Sequence, residues 1–485
     1  MTLLGGHASA AVSGDGRKEK LGEQVARRIE DDIVARGWPV GEVLGSEAEL
    51  TARYGVSRAA LREAISILEY KQVAAMRRGR GGGLVVRAPA AAVVAEAVAA
   101  FFHFADVSAD ELYEARITLE VLAARLAARR IEESDIAALR EVTATDTPER
   151  PLSVAIARVA GNPVLTIFIP TLTRVTGALA VGPAGRTDGF ALGEGVKAER
   201  DRALTAIAEA VISGDEATAE RRVRTHLLGE RAWLERVLAD QAESRARAVA
   251  EQPDSLAERL ARSPVGKLPE RIALLIRQEI HQRGWPAGEV IGGEAALCEE
   301  LGVSRAVFRE AVRILEHNGV ARMRQGPGGG LVVLTPDPAR VVDALALYLR
   351  YLRVGAADLF EVRTAVELKA VELAAAVNGR DAAGAERLAE SLEHERVHSD
   401  APPAYADLHV ALAQLSGNRL LTLFTAVLSR LTPFRLPRDD VHQRRSLQTH
   451  EKIAEAVLSG DASLARHRMS RHLEALTPWL DDSQP

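Results

Sequence analysis

The chain has 485 residues and very little cysteine or aromatic content. Its single cysteine, Cys298, excludes an intrachain disulfide framework and a cysteine-rich zinc module, and it favours a reducing, cytoplasmic setting. Aromatic residues make up only 4% of the chain, and Ala, Leu and Val supply most of the apolar content. This composition favours many Ala-lined helices over a β-sandwich, whose strands are rich in Val, Ile, Thr and aromatic residues.

Long apolar runs are also lacking. The most apolar stretch, 88–105, is mostly alanine and contains Glu96 and His103, whereas a membrane-spanning helix needs about 20 strongly apolar residues. Residues 1–16 are small and polar, without a basic segment ahead of an apolar core, so we expect a disordered tail and not a signal peptide. The sequence therefore predicts no membrane partner.

An excess of positive charge, the usual mark of a nucleic-acid-binding chain, is missing as well. The net charge is −5, but a total hides local patches. The basic residues are 55 Arg and only 7 Lys. The planar fork of arginine suits guanine and phosphate, although a biased genome composition explains the excess equally well.

The sequence repeats itself over a domain-sized interval. Three segments recur at one offset, 247 residues, and later landmarks such as His226 and His472 recur at 246. The three segments are Gly-Trp-Pro at 37–39 and 284–286, Gly-Val-Ser-Arg at 55–58 and 302–305, and Gly-Gly-Gly-Leu-Val-Val at 81–86 and 328–333. A period of this size means that one ancestral unit was copied whole, which excludes a short-repeat solenoid. We call the two copies unit 1 and unit 2.

The front of unit 1 has the pattern of a winged helix-turn-helix. An apolar stripe with a spacing of four predicts a first helix: Leu21, Val25, Ile29 and Ile33. A second helix is predicted at 47–54 with Ser46 as its N-cap, and Gly55 then makes a tight turn. Ser57 is the predicted N-cap of a third helix that reaches Tyr70. Two short helices joined by a glycine-containing turn are typical of helix-turn-helix proteins.

A two-stranded wing is predicted directly after the third helix, with strands at 73–78 and 84–87 and a glycine-rich tip between them. The third helix would enter the major groove, where its N-terminal arginines reach base edges or phosphates. The predicted DNA contacts of unit 1 are Ser57, Arg58, Arg62, Arg77, Arg78, Arg80 and Gly81. The alternative is that Arg58 and Arg62 are surface charges paired with Glu63 or Glu69.

Unit 2 repeats this DNA-reading pattern with some changes. Its predicted DNA contacts are Ser304, Arg305, Arg309, Arg322, Arg324 and Gly328. Its wing tip, 325–327, lacks an arginine at the position of Arg80, and Glu299 and Glu300 make its second helix more acidic. We call the winged helices at 17–88 and 265–335 reader 1 and reader 2, and we expect reader 2 to bind DNA more weakly.

These residues resemble the GntR family of bacterial transcription regulators. Gly-Val-Ser-Arg at 55–58, followed by Leu-Arg-Glu-Ala at 61–64, is similar to the recognition-helix signature of that family, and 302–311 resembles it again. The family usually carries an arginine in the second helix, where this chain has Ala48 and Ala295. One family contact to DNA is therefore missing from both units.

The rest of each unit is predicted to be an all-α helical bundle, with long helices at 111–128 and 358–376 and no strand pattern. These parts resemble the FCD effector-binding domain of the FadR subfamily of GntR regulators. The predicted fold is therefore mainly α: two winged helix-turn-helix domains, each with a small β-wing, and two all-α bundles. The predicted order is a tail at 1–16, reader 1 at 17–88, bundle 1 at 89–240, a linker at 241–264, reader 2 at 265–335 and bundle 2 at 336–481.

The resemblance also implies a metal site in bundle 2. In many FCD domains one Asp and three His bind a metal that helps to hold a small carboxylate effector. The matching histidines are His409, His450 and His472, which suit zinc or a similar divalent ion with one open position, and the aspartate position falls on Tyr405. Bundle 1 has Glu149, Ser153, Leu204 and His226 at these positions, so we expect no metal there.

An effector carboxylate is expected to contact Arg363 and Tyr405 in bundle 2, and Arg116 in bundle 1. The alternative for the two arginines is an ion pair one helical turn away, with Glu367 and Glu120.

The whole pattern predicts a sequence-specific DNA-binding transcription regulator controlled by a small carboxylate-type effector, and not an enzyme. Its partners would be a double-stranded DNA operator and the effector, and the chain would act as an intrachain pseudo-dimer, with further homodimerisation left open. It would lie in the cytoplasm, on the nucleoid. The alternatives are a metal-dependent enzyme, for which Asp407 and Tyr405 are the nearest general bases to the histidines, and a ligand-binding or architectural protein that has lost DNA specificity.

Replacing one recognition-helix arginine in each reader tests the predicted difference between them. Arg58→Ala should weaken DNA binding by about 10-fold or more, the usual loss for a base-contacting arginine, and Arg305→Ala should weaken it less. A gel-shift titration of both variants against the wild type measures the two losses. A larger loss from Arg305→Ala would contradict the predicted order.

Overall fold

The computed structural model describes residues 21–79, 81–89, 94, 98, 101, 105, 107–144, 151–181, 194–248, 255–262, 267–317, 319–326, 328–335, 338–378, 382–397, 408–432 and 440–480. Within these ranges the chain forms twenty α-helices and two small antiparallel sheets, which confirms the predicted mainly α class. The predicted tail lies outside the described residues. In the part that is described, no helix combines the length and the hydropathy needed to cross a membrane.

Reader 1 forms from local signals that lie close together in sequence. Its elements are α1 (Leu21–Ala35), α2 (Glu47–Tyr54), α3 (Arg58–Tyr70), β1 (Ala74–Arg77) and β2 (Gly83–Val86). The Ser46 hydroxyl accepts from the Glu49 N–H while the Glu49 carboxylate accepts from the Ser46 N–H, so a capping box starts α2. Gly55 ends α2 with a φ of 65°, and the Ser57 hydroxyl caps α3. These predicted caps are confirmed.

The wing of reader 1 is a hairpin whose tip requires glycine. Strands β1 and β2 pair from Ala74 opposite Val86 to Arg77 opposite Gly83. A Cβ atom on Gly82 would lie 2.2 Å from the Arg77 carbonyl oxygen, so no other residue fits there. The glycine run in the repeated segment therefore has a steric cause.

Bundle 1 follows, and its last helix runs past the predicted boundary of the domain. Its described helices are α4 (Ala109–Arg130), α5 (Glu133–Ala144), α6 (Leu152–Val159), α7 (Leu165–Val181), α8 (Glu194–Ile212) and α9 (Glu216–Ala248). Helix α9 thus covers 241–248 of the predicted linker, and a short helix, α10 (Leu256–Arg262), covers part of the rest. Leu256 and Leu260 of α10 are buried in the core of reader 2. The described parts of the linker are therefore helical.

Reader 2 repeats reader 1 with one more regular strand. Its elements are α11 (Leu268–Gln282), β3 (Val290–Gly292), α12 (Glu294–Leu301), α13 (Arg305–His317), β4 (Ala321–Arg324) and β5 (Gly330–Val333). Its sheet has the order β3-β5-β4, whereas the counterpart of β3 in reader 1 is a single bridge between Val43 and Val85. The tip is built alike, because a Cβ atom on Gly329 would lie 2.2 Å from the Arg324 carbonyl oxygen.

Bundle 2 is again all-α in its described residues. Its helices are α14 (Pro338–Tyr351), α15 (Ala356–Asn378), α16 (Ala382–Val397), α17 (Leu408–Leu415), α18 (Arg419–Leu431), α19 (Asp440–Leu458) and α20 (Ala462–Leu476), followed by a 3-10 turn (Thr477–Trp479). The long central helix α15 packs against α17, α18, α19 and α20, so it passes through the middle of the bundle.

The two bundles pack against each other through equivalent parts. One hydrophobic core contains residues of both bundles, and at its centre the rings of Phe168 and Phe424 stack with their centroids 4.3 Å apart. The Asn162 side chain donates to the Asp358 carbonyl at 3.0 Å, and its counterpart Asn418 donates to the Glu111 carbonyl at 3.0 Å. These two contacts are reciprocal, as they are in a two-fold dimer.

Ion pairs surround this contact between the bundles. Arg419 Nε lies 2.8 Å from Glu111 Oε1, and Arg130 Nη2 lies 3.1 Å from Glu361 Oε1. Lys369 Nζ lies 2.9 Å from Glu114 Oε2. The three pairs each join unit 1 to unit 2, so opposite charges face each other around the packed core.

Candidate DNA and metal sites

The recognition helix of each reader presents its arginines to solvent. Arg58 and Arg305 are the first residues of α3 and α13, and both are exposed. The side chain of Arg62 is 70% exposed and its Nε lies 2.8 Å from Glu47 Oε1, while Arg309 makes the same contact with Glu294 at 2.8 Å. Exposed pairs of this kind contribute little to stability, so a DNA phosphate can replace the carboxylate at low cost.

Glu69, one of the expected alternative partners of Arg58 and Arg62, bonds to the wing. Glu69 accepts a hydrogen bond from the Met76 N–H at 2.8 Å and so ties α3 to β1, and Glu316 does the same with Met323 at 3.0 Å in reader 2. The pairing of Arg62 with Glu47 on α2 was missed, because a partner on another helix leaves no spacing pattern in the sequence.

One arginine in each wing donates a hydrogen bond to a carbonyl of the hairpin tip. Arg77 donates to the Gly81 carbonyl at 3.1 Å, and Arg324 donates to the Gly328 carbonyl at 2.9 Å. The remaining predicted wing arginines that the structure describes, Arg78 and Arg322, are exposed. Arg80 lies outside the described residues. A guanidinium has five N–H donors, so Arg77 and Arg324 keep donors for phosphate while they hold the tip.

The three predicted metal ligands of bundle 2 converge in the structure. His409 lies on α17, His450 on α19 and His472 on α20, and all three are buried. One ring nitrogen from each lies within 4.8 Å of the others, and the Nε2 atoms of His450 and His472 are 3.3 Å apart. This is the only group of its kind among the described residues.

Two carboxylates contact the Nδ1 atoms of two of these histidines. Glu367 Oε2 lies 2.7 Å from Nδ1 of His409, and Glu395 Oε2 lies 2.8 Å from Nδ1 of His450. Metal-bound histidines usually donate their second ring N–H to such a carboxylate, which fixes the tautomer and turns Nε2 toward the ion. Glu395 was not anticipated, because it lies on α16, 55 residues before His450. Glu367 was considered only as a partner of Arg363.

The electrostatics of the site act on His472 and Glu367 in the same direction, lowering both pKa values. Burial, together with the neighbouring His409 and His450, lowers the pKa of His472 to about 2, so this ring keeps its lone pair near neutral pH. Burial alone would raise the pKa of Glu367, but Arg363 and His409 lower it to about 2. Three imidazoles with an open fourth position form a donor set that suits zinc. Tyr405, which occupies the expected aspartate position, lies outside the described residues, as does Asp407.

The matching place in bundle 1 contains an ion-pair network. Arg116 is buried between Glu120, 2.7 Å from its Nε, and Glu230, 2.9 Å from its Nη1. His226, the counterpart of His472, has its Nε2 3.4 Å from Glu230 Oε1. Burial would raise the pKa of Glu230, but Arg116 and His226 lower it to about 2, so it remains a carboxylate. Arg116 is the counterpart of Arg363, so what distinguishes bundle 1 is Glu230, which contacts both Arg116 and His226.

Both arginines that were considered for an effector are paired inside their bundles. Arg363 Nε lies 2.6 Å from Glu367 Oε1, and Arg116 Nε lies 2.7 Å from Glu120 Oε1. Arg363 and Arg116 are each only 4% exposed. The alternative of an ion pair one turn away is therefore what the structure contains in both units, and Arg116 has a second carboxylate in Glu230 as well.

The winged helices and the bundles match known family models in the same tandem order. The model described as bacterial regulatory proteins, gntR family, matches residues 21–84 and 268–331, and the FCD domain model matches 111–229 and 358–475. The chain belongs to the GntR family. The predicted duplication of a GntR reader and an FCD bundle is thereby confirmed, and the family is one of regulators and not of enzymes.

GntR-family relatives are about as long as one unit of this chain. The chain is similar to the Uxu operon regulator of Haemophilus influenzae, with 27% identity over 43% of this chain and 80% of that protein. It is 28% identical to the regulator LutR of Bacillus subtilis, over 38% of this chain and 89% of that one. An uncharacterised HTH-type transcriptional regulator of Mycobacterium tuberculosis is 31% identical over 43% of this chain and 88% of its own length. This chain therefore carries the equivalent of two such regulators.

Elemental analysis of the purified chain tests the difference between the two bundles. We expect wild-type protein to bind one zinc ion, His450→Ala to lose it, and Glu395→Gln to bind it about 10- to 100-fold more weakly, the usual effect of losing a carboxylate behind a ligand. His226→Ala is the matched control in bundle 1 and should leave the zinc content unchanged. A folded wild-type chain that takes up no zinc would contradict the site.

Proposed function

We propose that this chain is an effector-controlled transcription regulator in which one polypeptide does the work of a two-fold dimer. The observation that carries the proposal is the pairing of two GntR readers with two FCD bundles that share one hydrophobic core. Two-fold helix-turn-helix dimers bind two half-sites of a pseudo-palindromic operator with two readers. Here both readers belong to one chain, so a single molecule occupies both half-sites.

The two readers are not identical, and the operator should reflect this. Reader 1 carries an arginine at its wing tip where reader 2 has 325–327, Gln-Gly-Pro. Reader 2 also has Glu299 and Glu300 in the helix that precedes recognition helix α13. We therefore propose an asymmetric operator, with the stronger half-site under reader 1, bound in the cytoplasm on the nucleoid.

Bundle 2 is the proposed sensor. His409, His450 and His472 would hold a divalent ion such as zinc, which would supply a Lewis-acid position for an effector carboxylate. Glu367 and Glu395 orient two of the imidazoles, so the donor set is organised before the ion arrives. Arg363 pairs with Glu367 and holds it ionised.

Bundle 1 is proposed to be a structural partner and not a second sensor. Its Arg116 is already neutralised by Glu120 and Glu230, so an effector carboxylate would have to displace one of them. Breaking a buried pair by removing one partner costs about 3–5 kcal/mol. One chain should therefore bind one metal ion and one effector molecule.

A thermal-shift screen of small carboxylic and sugar acids, with and without zinc, tests the sensor. A true effector present at about 100 times its Kd should stabilise the native state by roughly 2.7 kcal/mol, and it should do so with zinc present. The same acid should not stabilise His450→Ala, and it should change the affinity of the wild type for DNA in a gel shift. Equal stabilisation of wild type and His450→Ala would place the effector elsewhere.

A further inference from the structure

The first helix of bundle 2 packs on the reader of the other unit. Leu347 and Tyr351 of α14 take part in the hydrophobic core of reader 1, and Leu347 is only 7% exposed. The Tyr351 ring meets the Trp38 ring edge to face, with the centroids 5.4 Å apart. Such aromatic pairs contribute beyond the area that they bury. Reader 1 is thus held by a helix of unit 2.

Polar contacts fix the same surface. Arg350 Nη2 lies 3.1 Å from Asp31 Oδ1, and the Arg353 guanidinium donates to the Gly37 carbonyl. Arg353 itself has a φ of 51°, an unusual backbone conformation for a residue with a side chain, in the turn that ends α14. We call this contact, formed by Leu347, Tyr351, Arg350 and Arg353 with reader 1, the joint.

A cavity of about 290 Å³ lies beside the joint. Reader 1 lines it with Glu30 and Lys71, whose charged atoms are 2.8 Å apart, and bundle 2 lines it with the ion pair of Asp343 and Arg430. Arg350 lines the cavity as well and pairs across it with Asp31 of reader 1, in an ion pair whose side chains are 36% and 55% exposed. Because the two sides meet only in part, reader 1 has room to shift against bundle 2, and this crossing ion pair is too exposed to leave a buried charge unpaired.

Helix α15 connects this cavity to the histidine cluster. Leu359 of α15 lines the cavity, and Glu367 of the same helix bonds to His409. The two residues are eight positions apart, roughly 12 Å along a helix. A change in the contact between His409 and Glu367 would therefore also move Leu359 at the wall of the cavity, because both residues lie on one rigid helix.

From this arrangement we infer crossed control: the sensor in unit 2 sets the position of the reader in unit 1. The inference rests on the proposed function of bundle 2 as a metal-dependent sensor. The coupled pair combines the bundle that keeps the histidines with the more basic reader. Coupling between two sites requires a structural element whose position both of them influence. Helix α15 is such an element, because it contacts the histidine cluster and lines the cavity beside reader 1. Helix α14, which packs on reader 1, completes the connection.

Hydrogen exchange on the full-length chain, with and without Zn²⁺, tests the crossed control. Zinc should slow exchange in α17, α19 and α20, and it should also slow exchange at 25–38 of reader 1 by about fivefold or more, the low end of usual allosteric coupling. The matched segment 272–285 of reader 2 should respond clearly less. In Tyr351→Ala the histidine helices should still respond, but 25–38 should not, while the neighbouring exposed position in Leu352→Ala should leave both responses intact.

Equal responses of 25–38 and 272–285, or a response of 25–38 that survives Tyr351→Ala, would overturn the crossed control while leaving the metal site standing. If zinc slows exchange nowhere, the metal proposal fails. The joint is then tested by comparing exchange in the two variants and the wild type without zinc. In that case Tyr351→Ala must speed exchange at 25–38 relative to wild type and Leu352→Ala. Unchanged exchange there would overturn the joint as well.

Discussion

Two asparagine side chains sit where the halves of the molecule meet, and the rest of the architecture depends on their contacts. Asn162 accepts a hydrogen bond from the Val164 N–H just before α7, and Asn418 accepts from the Leu420 and Leu421 N–H groups in the first turn of α18. Each asparagine donates to a carbonyl of the other unit. Both side chains are buried. A hydrogen bond of this kind contributes about 0.5–1.5 kcal/mol net relative to bonding with water, so the packed bundles are favoured at two equivalent places at once. This reciprocity holds the two bundles together, and the bundles in turn carry the two readers in one molecule.

The duplication allowed the two bundles to diverge toward different solutions of one problem. The buried polar groups that line a pocket need bonding partners. In bundle 2 these groups are three imidazoles, of which His409 pairs with Glu367 and His450 pairs with Glu395. Bundle 1 keeps only His226 of these histidines, and Glu230 beside it pairs with the buried Arg116. Buried ion pairs of this kind add little net stability but make the removal of any one member costly. This difference is why we propose bundle 2 as the sensor and bundle 1 as its structural partner.

Local signals made the readers predictable from sequence. The caps at Ser46 and Ser57, the left-handed Gly55 and the glycine tip of the wing act over a few residues, so they appear directly in the sequence. The histidine positions came from a family resemblance, and the structure brings all three together. Contacts between distant segments were missed, such as Glu395 with His450 and the packing of Tyr351 on Trp38, because such pairs leave no periodic pattern. Glu230 is an intermediate case, since it lies one turn after His226.

The central claim is that one chain is a complete DNA-binding dimer. Sites selected from random DNA would supply the operator, and native mass spectrometry of its complex would count the chains bound to it. We expect one chain per duplex, spanning two unequal half-sites about 34–36 Å apart or a multiple of that distance. Two chains on each duplex at saturation, each covering one half of a perfect palindrome, would contradict the claim.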